Sequence, residues 1–445
     1  MINKIRVKIV SMAFGGNGVA RVNGKVLFIP YTVTGDEVWV EVTEEKKRYS
    51  IGKLIGIAEP SPWRTPPPCP YFGNCGGCQW QHIDPSIHGE IKRTIFIEIL
   101  KRLGKLDQLP SVDIVPSPQP YGYRVRVQLK IRKGTLGYYQ EGSHRIVDIT
   151  HCPIAHPLVN RIISILRDQR DHFPSMEEIE INVSPQEEIG VLLFHPYLSR
   201  SNDQRLEHFA KQFLPHPYPP PRWGMEREGV SQPVLQGIAI SGKREWTSLG
   251  NPSLSFMVPF PDGEKERNLS FRISPGSFSQ VNLEQNEKLI QTVVEFSSAI
   301  KAEWVLDLYA GTGNFTLPLA IRAGEVWGIE ENRVAIKDAK FNAERNGIKN
   351  ARFIEGEVEE VLKDWNKGKP DQAILDPPRA GCKKIVDLIA RLKPKKIVYV
   401  SCEPTTFARD LGLFFERGYV VERLRLIDMF PQTYHMEVIG LLTRN

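Results

Sequence analysis

The first 59 residues alternate hydrophobic and polar side chains in short runs. Residues 6–10, 25–30, 38–42 and 53–57 read as strands, and the glycine-rich segment 14–18 separates the first two. Short strands divided by turns predict a small β-barrel of the OB type. Such barrels can bind nucleic acid on an open face, and a solvated barrel without that role is the alternative.

The periodicity changes after a proline-rich linker that starts at residue 60. Residues 85–103 carry an apolar residue at every fourth position, which predicts an amphipathic helix. Residues 113–270 return to strand-like alternation and predict a β-rich region, in which the prolines of 215–221 indicate a loop. The apolar face of the predicted helix comprises Ile91, Ile95, Ile99 and Leu103.

From about residue 303 the pattern alternates between buried strands and amphipathic helices. This order predicts an α/β domain with a mostly parallel sheet. The last two strands, 419–428 and 437–443, have no helix between them and predict an antiparallel closing strand. The other predicted elements are strands at 304–308, 325–330, 351–355, 371–376 and 396–401 and helices at 315–323 and 332–346.

Composition limits the class of protein. With 445 residues, 41% hydrophobic and 25% charged, the chain fits two to four globular domains and excludes a fibrous or wholly disordered protein. A net charge of +6 is compatible with a nucleic-acid partner. No apolar run is long enough to span a membrane and no signal peptide is evident, so we expect a cytoplasmic protein without membrane contact.

Basic and aromatic residues are interleaved between positions 121 and 150. This segment holds six basic and two acidic residues, with tyrosines at 121, 123, 138 and 139. Cations can bind phosphates while rings stack on unpaired bases, which favours RNA binding. An ordinary strand with a polar face is an equal alternative.

A glycine turn follows the predicted strand 304–308. Gly311 and Gly313 allow a ligand to approach the backbone, and Glu330, at the end of the next strand, can accept hydrogen bonds from ribose hydroxyls. A dinucleotide fingerprint needs a third small residue where Thr316 stands. The turn therefore favours S-adenosylmethionine over a nicotinamide dinucleotide, and over a folate as methyl donor.

Three further motifs follow strands or open one. Asp376 precedes two prolines, Cys402 lies between a strand and a helix start, and Glu437 opens the last strand. A helix N-terminus stabilises a thiolate, which predicts a nucleophile at Cys402. Glu437 is a candidate general base. The alternatives are a helix cap, a buried inert thiol and a surface glutamate.

Four of the six cysteines have the spacing of a metal site. Cys69, Cys75 and Cys78 are close together, Gly76-Gly77 can turn backbone N–H groups toward sulfur, and Cys152 follows downstream. Four thiolates suit zinc or an iron–sulfur cluster, and the spacing does not choose between them. Six cysteines are too few for a disulfide scaffold.

Together these motifs resemble the RNA uracil-5-methyltransferase family, in its branch with a TRAM domain and an iron–sulfur cluster, which the 23S ribosomal RNA methyltransferases typify. The resemblance rests on the glycine turn and on four short motifs. They are Phe-Ser-Gln-Val-Asn at 278–282, Asp-Pro-Pro-Arg at 376–379, Ser-Cys-Glu-Pro at 401–404 and His-Met-Glu at 435–437.

The resemblance implies a multidomain α/β fold. It places a TRAM β-barrel at 1–59, a central α+β domain with the cluster at 60–270, and a class I, Rossmann-like methyltransferase domain at 271–445. It implies Cys402 as the nucleophile and Glu437 as the base. It also implies S-adenosylmethionine contacts at Gln280, Tyr309, Asn314, Glu330, Glu357 and Asp376, and a 4Fe–4S cluster on Cys69, Cys75, Cys78 and Cys152.

The expected activity is methylation of a uridine at C5 in RNA. Large-subunit 23S ribosomal RNA is the first expectation for the substrate and transfer RNA the second, and we expect a monomer. Two other classes stay open: a DNA cytosine-5-methyltransferase, which also uses thiol addition, and a non-catalytic RNA-binding or redox-sensing protein with the same fold.

Overall fold

The computed structural model describes residues 4–106, 108–132, 134–169, 176–196, 214, 235–242, 246–262 and 265–444. The loop predicted at 215–221 lies outside them. The chain divides into two compact units, each built from separate stretches. The first comprises Met1–Pro120, Glu284–Tyr309 and Val358–Asn445, and the second comprises Tyr121–Leu283 and Ala310–Glu357.

The N-terminal region is a six-stranded sheet. The order of the strands is β1-β5-β6-β4-β3-β2. Its inward-facing aliphatic side chains, such as Ile9, Leu27 and Val40, form one buried cluster. The strands are β1 (Lys4–Lys8), β2 (Ser11–Met12), β3 (Gly18–Val22), β4 (Lys25–Ile29), β5 (Glu37–Glu45) and β6 (Tyr49–Glu59). Four of these strands, β1, β4, β5 and β6, overlap the four that the alternating pattern predicts.

The predicted amphipathic helix forms as α1 (His88–Leu103), after a 3₁₀ turn at Pro85–Ile87. The Asp84 carboxylate caps that turn by accepting a bond from the Ser86 N–H. Ile95 and Ile99 are buried, as expected, but the Leu103 side chain is 51% exposed because the helix ends there. A strand, β7 (Val112–Val115), follows at the start of the region 113–270, which the sequence predicts to be rich in strands.

The central part of the second unit is rich in strands, as predicted, and its described residues include one helix. Seven strands form a sheet in the order β10-β9-β8-β11-β12-β13-β14, and β15 and β16 form a separate antiparallel ladder. The elements are β8 (Arg126–Arg132), β9 (Thr135–Tyr139), β10 (Ile146–Asp148), α2 (Pro157–Asp168), β11 (Met176–Ser184), β12 (Ile189–Pro196), β13 (Leu235–Ser241), β14 (Trp246–Gly250), β15 (Leu254–Asp262) and β16 (Lys265–Ile273).

The C-terminal part alternates helices and strands. These elements are α3 (Leu283–Ser297), β17 (Trp304–Leu308), α4 (Thr316–Arg322), β18 (Glu325–Glu330), α5 (Arg333–Arg345), β19 (Ala351–Glu355), α6 (Val358–Lys363), β20 (Gln372–Leu375), α7 (Val386–Leu392), β21 (Lys396–Ser401), α8 (Pro404–Phe415), β22 (Tyr419–Ile427) and β23 (Glu437–Arg444). The elements with predicted bounds, which are the seven strands and the helices α4 and α5, lie within one or two residues of them. The sequence pattern did not predict α3, and it gave no bounds for α6, α7 and α8.

In the first unit these strands follow the order β17-β20-β21-β23-β22-β7. β17, β20 and β21 are parallel, and β23 is antiparallel to both β21 and β22, which confirms the predicted closing strand. β7 extends the edge by pairing parallel to β22. In the second unit β18 and β19 form a parallel pair.

The two units do not coincide with boundaries at 59/60 and 270/271. Residues 1–120 join the C-terminal strands in one unit because β7 pairs with β22 and because Lys92 of α1 forms a buried ion pair with Asp428. The three-domain division stays a prediction.

Across the described ranges, no helix combines the length and the apolar character that crossing a membrane requires.

Candidate functional site

Three predicted site residues of the first unit meet at one edge of its sheet. Parallel pairing of Leu375 with Tyr399 places the carboxyl ends of β20 and β21 side by side, with Asp376 and Cys402 just beyond them. β23 runs the opposite way, so that its first residue, Glu437, lies at the same edge. The topology thus collects groups that the sequence separates.

Burial decides the protonation of the thiol. Burial raises the pKa of Cys402 to about 11, and the negative charges of Glu437 and Asp376 act in the same direction. The expected stabilisation by a helix N-terminus is outweighed. α8 begins only at Pro404, and the Glu403 carboxylate, rather than the thiol, caps it by accepting a bond from the Thr405 N–H.

Glu437 is 3% exposed. Burial, and next the charge of Asp376, raises the pKa of the Glu437 carboxyl well above its usual range. A surface glutamate, the alternative at the sequence level, is therefore wrong. A carboxyl group with a perturbed pKa beside a half-buried thiol is typical of a catalytic site.

Arg379 is a site residue that the sequence reading quoted only as part of a motif. Its positive charge lowers the pKa of the Cys402 thiol and so opposes burial and the two carboxylates, which raise it. The feature of the sequence that could have identified Arg379 as a site residue is its position, three residues after Asp376 in a turn that two prolines make rigid.

Tyr309 and Asp376 follow two adjacent parallel strands. Leu308 pairs with Leu375, and the Asp376 N–H donates to the Leu308 carbonyl at 3.3 Å. Tyr309 adopts a left-handed φ of 67°, a strained conformation for a residue with a side chain. Both side chains are half-buried at the edge where α/β sheets bind ligands.

In the second unit Glu330 is tied to the glycine turn. One carboxylate oxygen accepts the Gly311 N–H at 3.0 Å and the other accepts the Asn332 N–H at 2.7 Å. A carboxylate has about four acceptor sites, so capacity remains for ribose hydroxyls. Among the other predicted contacts, Asn314 and Gln280 are half-buried and Glu357 is exposed.

Thr316 explains how this turn differs from a dinucleotide site. It is fully buried and packs against Gly328, where an added Cβ would lie 3.1 Å from the Thr316 hydroxyl oxygen. The small residue needed for close packing of helix and strand is therefore supplied by β18 rather than by α4.

The predicted metal centre receives no support from the structure. Within the segments that the structure describes, no three His, Cys, Asp or Glu side chains are grouped so as to hold a metal ion. Locally, the Gly77 N–H donates to the Cys75 sulfur at 3.4 Å, as expected of the Gly-Gly pair. Cys69 and Cys75 are partly exposed and Cys78 is buried, but these three do not form a ligand set.

A groove of about 920 Å³ lies between the N-terminal sheet and α1. Phe28 and Tyr49 line it as an edge-to-face pair with ring centroids 5.7 Å apart. The groove is also lined by one acidic residue, Glu98, and by four exposed cations, Arg21, Arg48, Lys101 and Arg102. Rings beside cations are the combination that binds single-stranded nucleic acid.

Comparisons with known proteins agree with this chemistry. Residues 263–445 match the family described as tRNA (uracil-5-)-methyltransferase, and residues 5–63 match the TRAM domain of tRNA (uracil(54)-C(5))-methyltransferase. The chain is 34% identical to an uncharacterized RNA methyltransferase of Aquifex aeolicus, over 98% of each chain. It is also 34% identical to one of Clostridium tetani, over 98% of this chain and 95% of the relative.

A solved structure covers the same length. The Pyrococcus abyssi tRNA (uracil-54, C5)-methyltransferase, in complex with S-adenosyl-L-homocysteine, is 25% identical and superimposes with a TM-score of 0.73, over 98% of this chain and 99% of that chain. With the thiol, the buried carboxyl group and the glycine turn in place, these similarities give one conclusion. The chain belongs to the S-adenosylmethionine-dependent RNA (uracil-5-)-methyltransferases that carry an N-terminal TRAM domain.

Proposed function

We propose that this chain methylates C5 of one specific uridine in RNA, with Cys402 as nucleophile and Glu437 as base. The observation that supports the proposal is the meeting of Cys402, Glu437 and Asp376 at one sheet edge. Uracil C5 is a weak nucleophile, and addition of a thiolate at C6 makes it reactive by forming an enolate.

In the first step the Cys402 thiol loses its proton to solvent and attacks as the thiolate. Its sulfur forms a bond to C6, and the electrons of the C5–C6 double bond move through C4 onto O4. C5 then takes the methyl group that S-adenosylmethionine supplies when bound. The Glu437 carboxylate next removes the proton from C5. The double bond re-forms, and the Cys402 thiolate leaves.

Arg379 has a defined part in this scheme. Its positive charge opposes the raised pKa of the Cys402 thiol and stabilises the thiolate, both for attack and as it leaves. Burial, and next the charge of Asp376, raises the pKa of Glu437, which makes the ionised Glu437 carboxylate a stronger base toward the C5 proton. The Asp376 carboxylate also provides negative charge near the place of a cationic methyl donor. The other proposed cofactor contacts are Gln280, Tyr309, Asn314, Glu330 and Glu357.

The target uridine is expected to be unpaired or extruded, because stacking in a duplex hides C5 and C6. The groove beside α1 is suited to an adjacent single-stranded segment, since its cations can contact phosphates and its rings can stack on bases.

The identity of the RNA remains a choice between two substrates. The resemblance to the branch with a TRAM domain and an iron–sulfur cluster favours 23S ribosomal RNA, whereas similarity over the whole chain to an archaeal tRNA enzyme favours transfer RNA. The test is nucleoside mass spectrometry of 5-methyluridine in purified 23S RNA and transfer RNA, from cells with and without the gene. Loss from one RNA names the substrate, and unchanged 5-methyluridine in both would contradict the proposal.

The 4Fe–4S cluster on Cys69, Cys75, Cys78 and Cys152 stays a prediction from the resemblance alone. No step of the reaction passes through it. Iron and sulfide analysis of protein purified without oxygen tests it, and protein with zinc or with no metal would exclude an iron–sulfur cluster.

A further inference from the structure

One edge of strand β16 is hydrogen-bonded to side chains of helix α5. β16 forms a two-stranded ladder with β15, so the N–H and C=O groups on its other edge need partners. The Asn346 amide accepts the Ser270 N–H at 2.9 Å and donates to the Ser270 carbonyl at 2.7 Å. The Asn342 amide does the same for Arg272, at 2.8 Å and 3.2 Å. Two helix side chains thus take the place of a neighbouring strand.

Asp338 continues this series of contacts. Its carboxylate accepts the Ser274 N–H and the Ser274 hydroxyl, each at 2.8 Å, and the Arg272 guanidinium at 2.9 Å. Residues four apart lie about 6 Å apart along a helix, and residues two apart lie about 7 Å apart in an extended chain. Because these spacings nearly match, one face of α5 holds the chain from Ser270 to Ser274.

The same face of α5 reaches the glycine turn. The Asn342 amide also donates to the Thr312 carbonyl at 3.2 Å, between Gly311 and Gly313. Asn342 is fully buried, so water does not readily replace a bond that this amide loses. One side chain therefore joins β16, α5 and the turn at which we place S-adenosylmethionine.

The segment 274–277, which follows β16, is fixed to α5 at two further points. The Ser277 hydroxyl donates to the Asp338 carboxylate at 2.8 Å. The Asn332 side chain, which caps α5, donates to the Gly276 carbonyl at 2.8 Å. Gln280, one of the proposed cofactor contacts, comes three residues after Ser277, so both bonds fix the chain shortly before it.

Glu330 is bonded to the start of the same helix. Its carboxylate accepts the Asn332 N–H as well as the Gly311 N–H. The acid proposed to bind ribose, the glycine turn and the segment 274–277 are therefore all connected through α5, and all of them belong to the second unit.

We propose that Asp338 and Asn342 are positioning residues for S-adenosylmethionine, which hold the segment 274–277 and the glycine turn in the arrangement that binds the cofactor. This inference rests on the proposed function in taking Glu330 and Gln280 as cofactor contacts. Neither positioning residue needs to touch the cofactor. When a bond to α5 is lost, the turn or the segment gains freedom that cofactor binding must remove, and affinity falls.

The experiment measures binding of S-adenosyl-L-homocysteine to the full-length protein by isothermal titration calorimetry, without RNA, and the urea midpoint of each variant. Asn342→Ala removes the bonds to Arg272 and to the Thr312 carbonyl. We expect its affinity to be about tenfold weaker, the size of effect that loss of one buried hydrogen bond produces.

The matched control is Asn346→Ala. Asn346 bonds to β16 in the same way as Asn342 but does not bond to the glycine turn. Its loss should lower the urea midpoint, while the affinity for S-adenosyl-L-homocysteine stays within about twofold of the wild type. The comparison separates positioning of the turn from general support of the fold.

Ser277→Ala tests the segment 274–277 through the loss of a single hydroxyl group. It removes one bond to Asp338, and the affinity should be about threefold weaker. Ser270→Ala on β16 keeps the backbone bonds of residue 270 to Asn346 and should bind S-adenosyl-L-homocysteine as the wild type does.

Equal weakening by Asn342→Ala and Asn346→Ala would overturn the proposal, as would wild-type affinity in both Asn342→Ala and Ser277→Ala. Should Asn342→Ala fail to fold, wild-type affinity in Ser277→Ala alone overturns it. Because this binding needs neither RNA nor Cys402, a failed methylation assay would count against the proposed function and not against this inference.

Discussion

Cys402 directly follows Ser401 at the end of strand β21, and Glu437 directly precedes Val438 in strand β23. Ser401 and Val438 form a cross-strand pair in these two antiparallel strands. This register brings two residues 35 positions apart in the sequence to neighbouring places at one sheet edge. Opposed residues in such strands are about 5 Å apart at Cβ. The sheet therefore supplies the close approach of thiol and carboxyl group that the proposed reaction needs.

Glu437→Gln should separate the two halves of the reaction. Cys402 can still add to C6, but the proton on C5 has no carboxylate to accept it. We expect a denaturant-stable protein–RNA adduct by gel electrophoresis and turnover lower by about 10²–10⁴-fold. Adding Cys402→Ala should abolish the adduct.

The matched control for this pair is Glu416→Gln, at a side chain that is 67% exposed. It should behave as the wild type. Normal multiple turnover by Glu437→Gln would reject Glu437 as the base.

Alkylation of Cys402 by iodoacetamide, followed by mass spectrometry, should accelerate steeply with pH. Its pKa of about 11 means that thiolate rises about tenfold for each pH unit below the midpoint. Asp376→Asn removes a negative charge that raises this pKa, so the alkylation curve should move to lower pH. A curve that stays in place or moves upward would show that Asp376 does not act on the thiol.

RNA affinity should depend on the cations of the groove beside α1. The triple variant Arg48→Gln, Lys101→Gln, Arg102→Gln removes three exposed positive charges. In filter binding across salt concentrations, the slope of log affinity against log salt should become shallower by about two, at roughly 0.7 per lost single-strand phosphate contact.

The comparison for that experiment is a triple Gln variant at Lys349, Lys367 and Lys369, which are exposed and do not line the groove. It carries the same loss of net charge. Equal losses of affinity in both variants would indicate a general charge effect and no groove site.

Lys92→Met should destabilise the fold strongly. Lys92 is fully buried, burial lowers the pKa of its amine, and its Nζ lies 2.6 Å from an Asp428 carboxylate oxygen. Removing the amine leaves a buried carboxylate unpaired, which costs about 3–5 kcal/mol. Urea unfolding measures it, with the exposed Lys363→Met as a control expected to change little.

The double variant Lys92→Met, Asp428→Asn tests the cause. It removes both charges and should regain much of the lost stability. If it is no more stable than Lys92→Met, packing rather than the unpaired charge explains the loss.

Stability should fall as the pH decreases from about 6.5 to 4. Burial lowers the pKa of His82 to about 4, with Arg64 acting in the same direction, and burial followed by Lys92 does the same for His88. The unfolded chain binds protons at these rings near pH 6.5, so it is favoured throughout this window. Denaturant midpoints measured between pH 7 and pH 4 should therefore decline.

His82→Phe removes one of the two titrations. Its decline over the same window should be shallower, whereas exposed His151→Phe should match the wild type. A decline identical to that of the wild type in His82→Phe would show that His82 does not link pH to folding.

Local patterns determined most elements of this protein. Alternation over the first 59 residues and the α/β alternation after 303 predicted strands and helices close to their observed bounds, because period 2 and period 3.6 are local properties. The motifs around Asp376, Cys402 and Glu437 also indicated thiol and carboxyl chemistry, since the type of residue next to a predicted strand end can be taken directly from the sequence.

The tertiary structure decided which distant segments pair, how buried the site residues are and which side chains come together, because the periodicity of a sequence carries no information on these. β7 joins the sheet beside β22 through pairing with a segment more than 300 residues away, and residues 1–120 thereby share a unit with the C-terminus. Cys402 has a raised pKa, against the expectation from a helix start, because burial and two carboxylates outweigh the dipole. The spacing of four cysteines suggested a metal site. Whether such side chains come close enough to bind one ion depends on the tertiary structure, and the described residues show no such group.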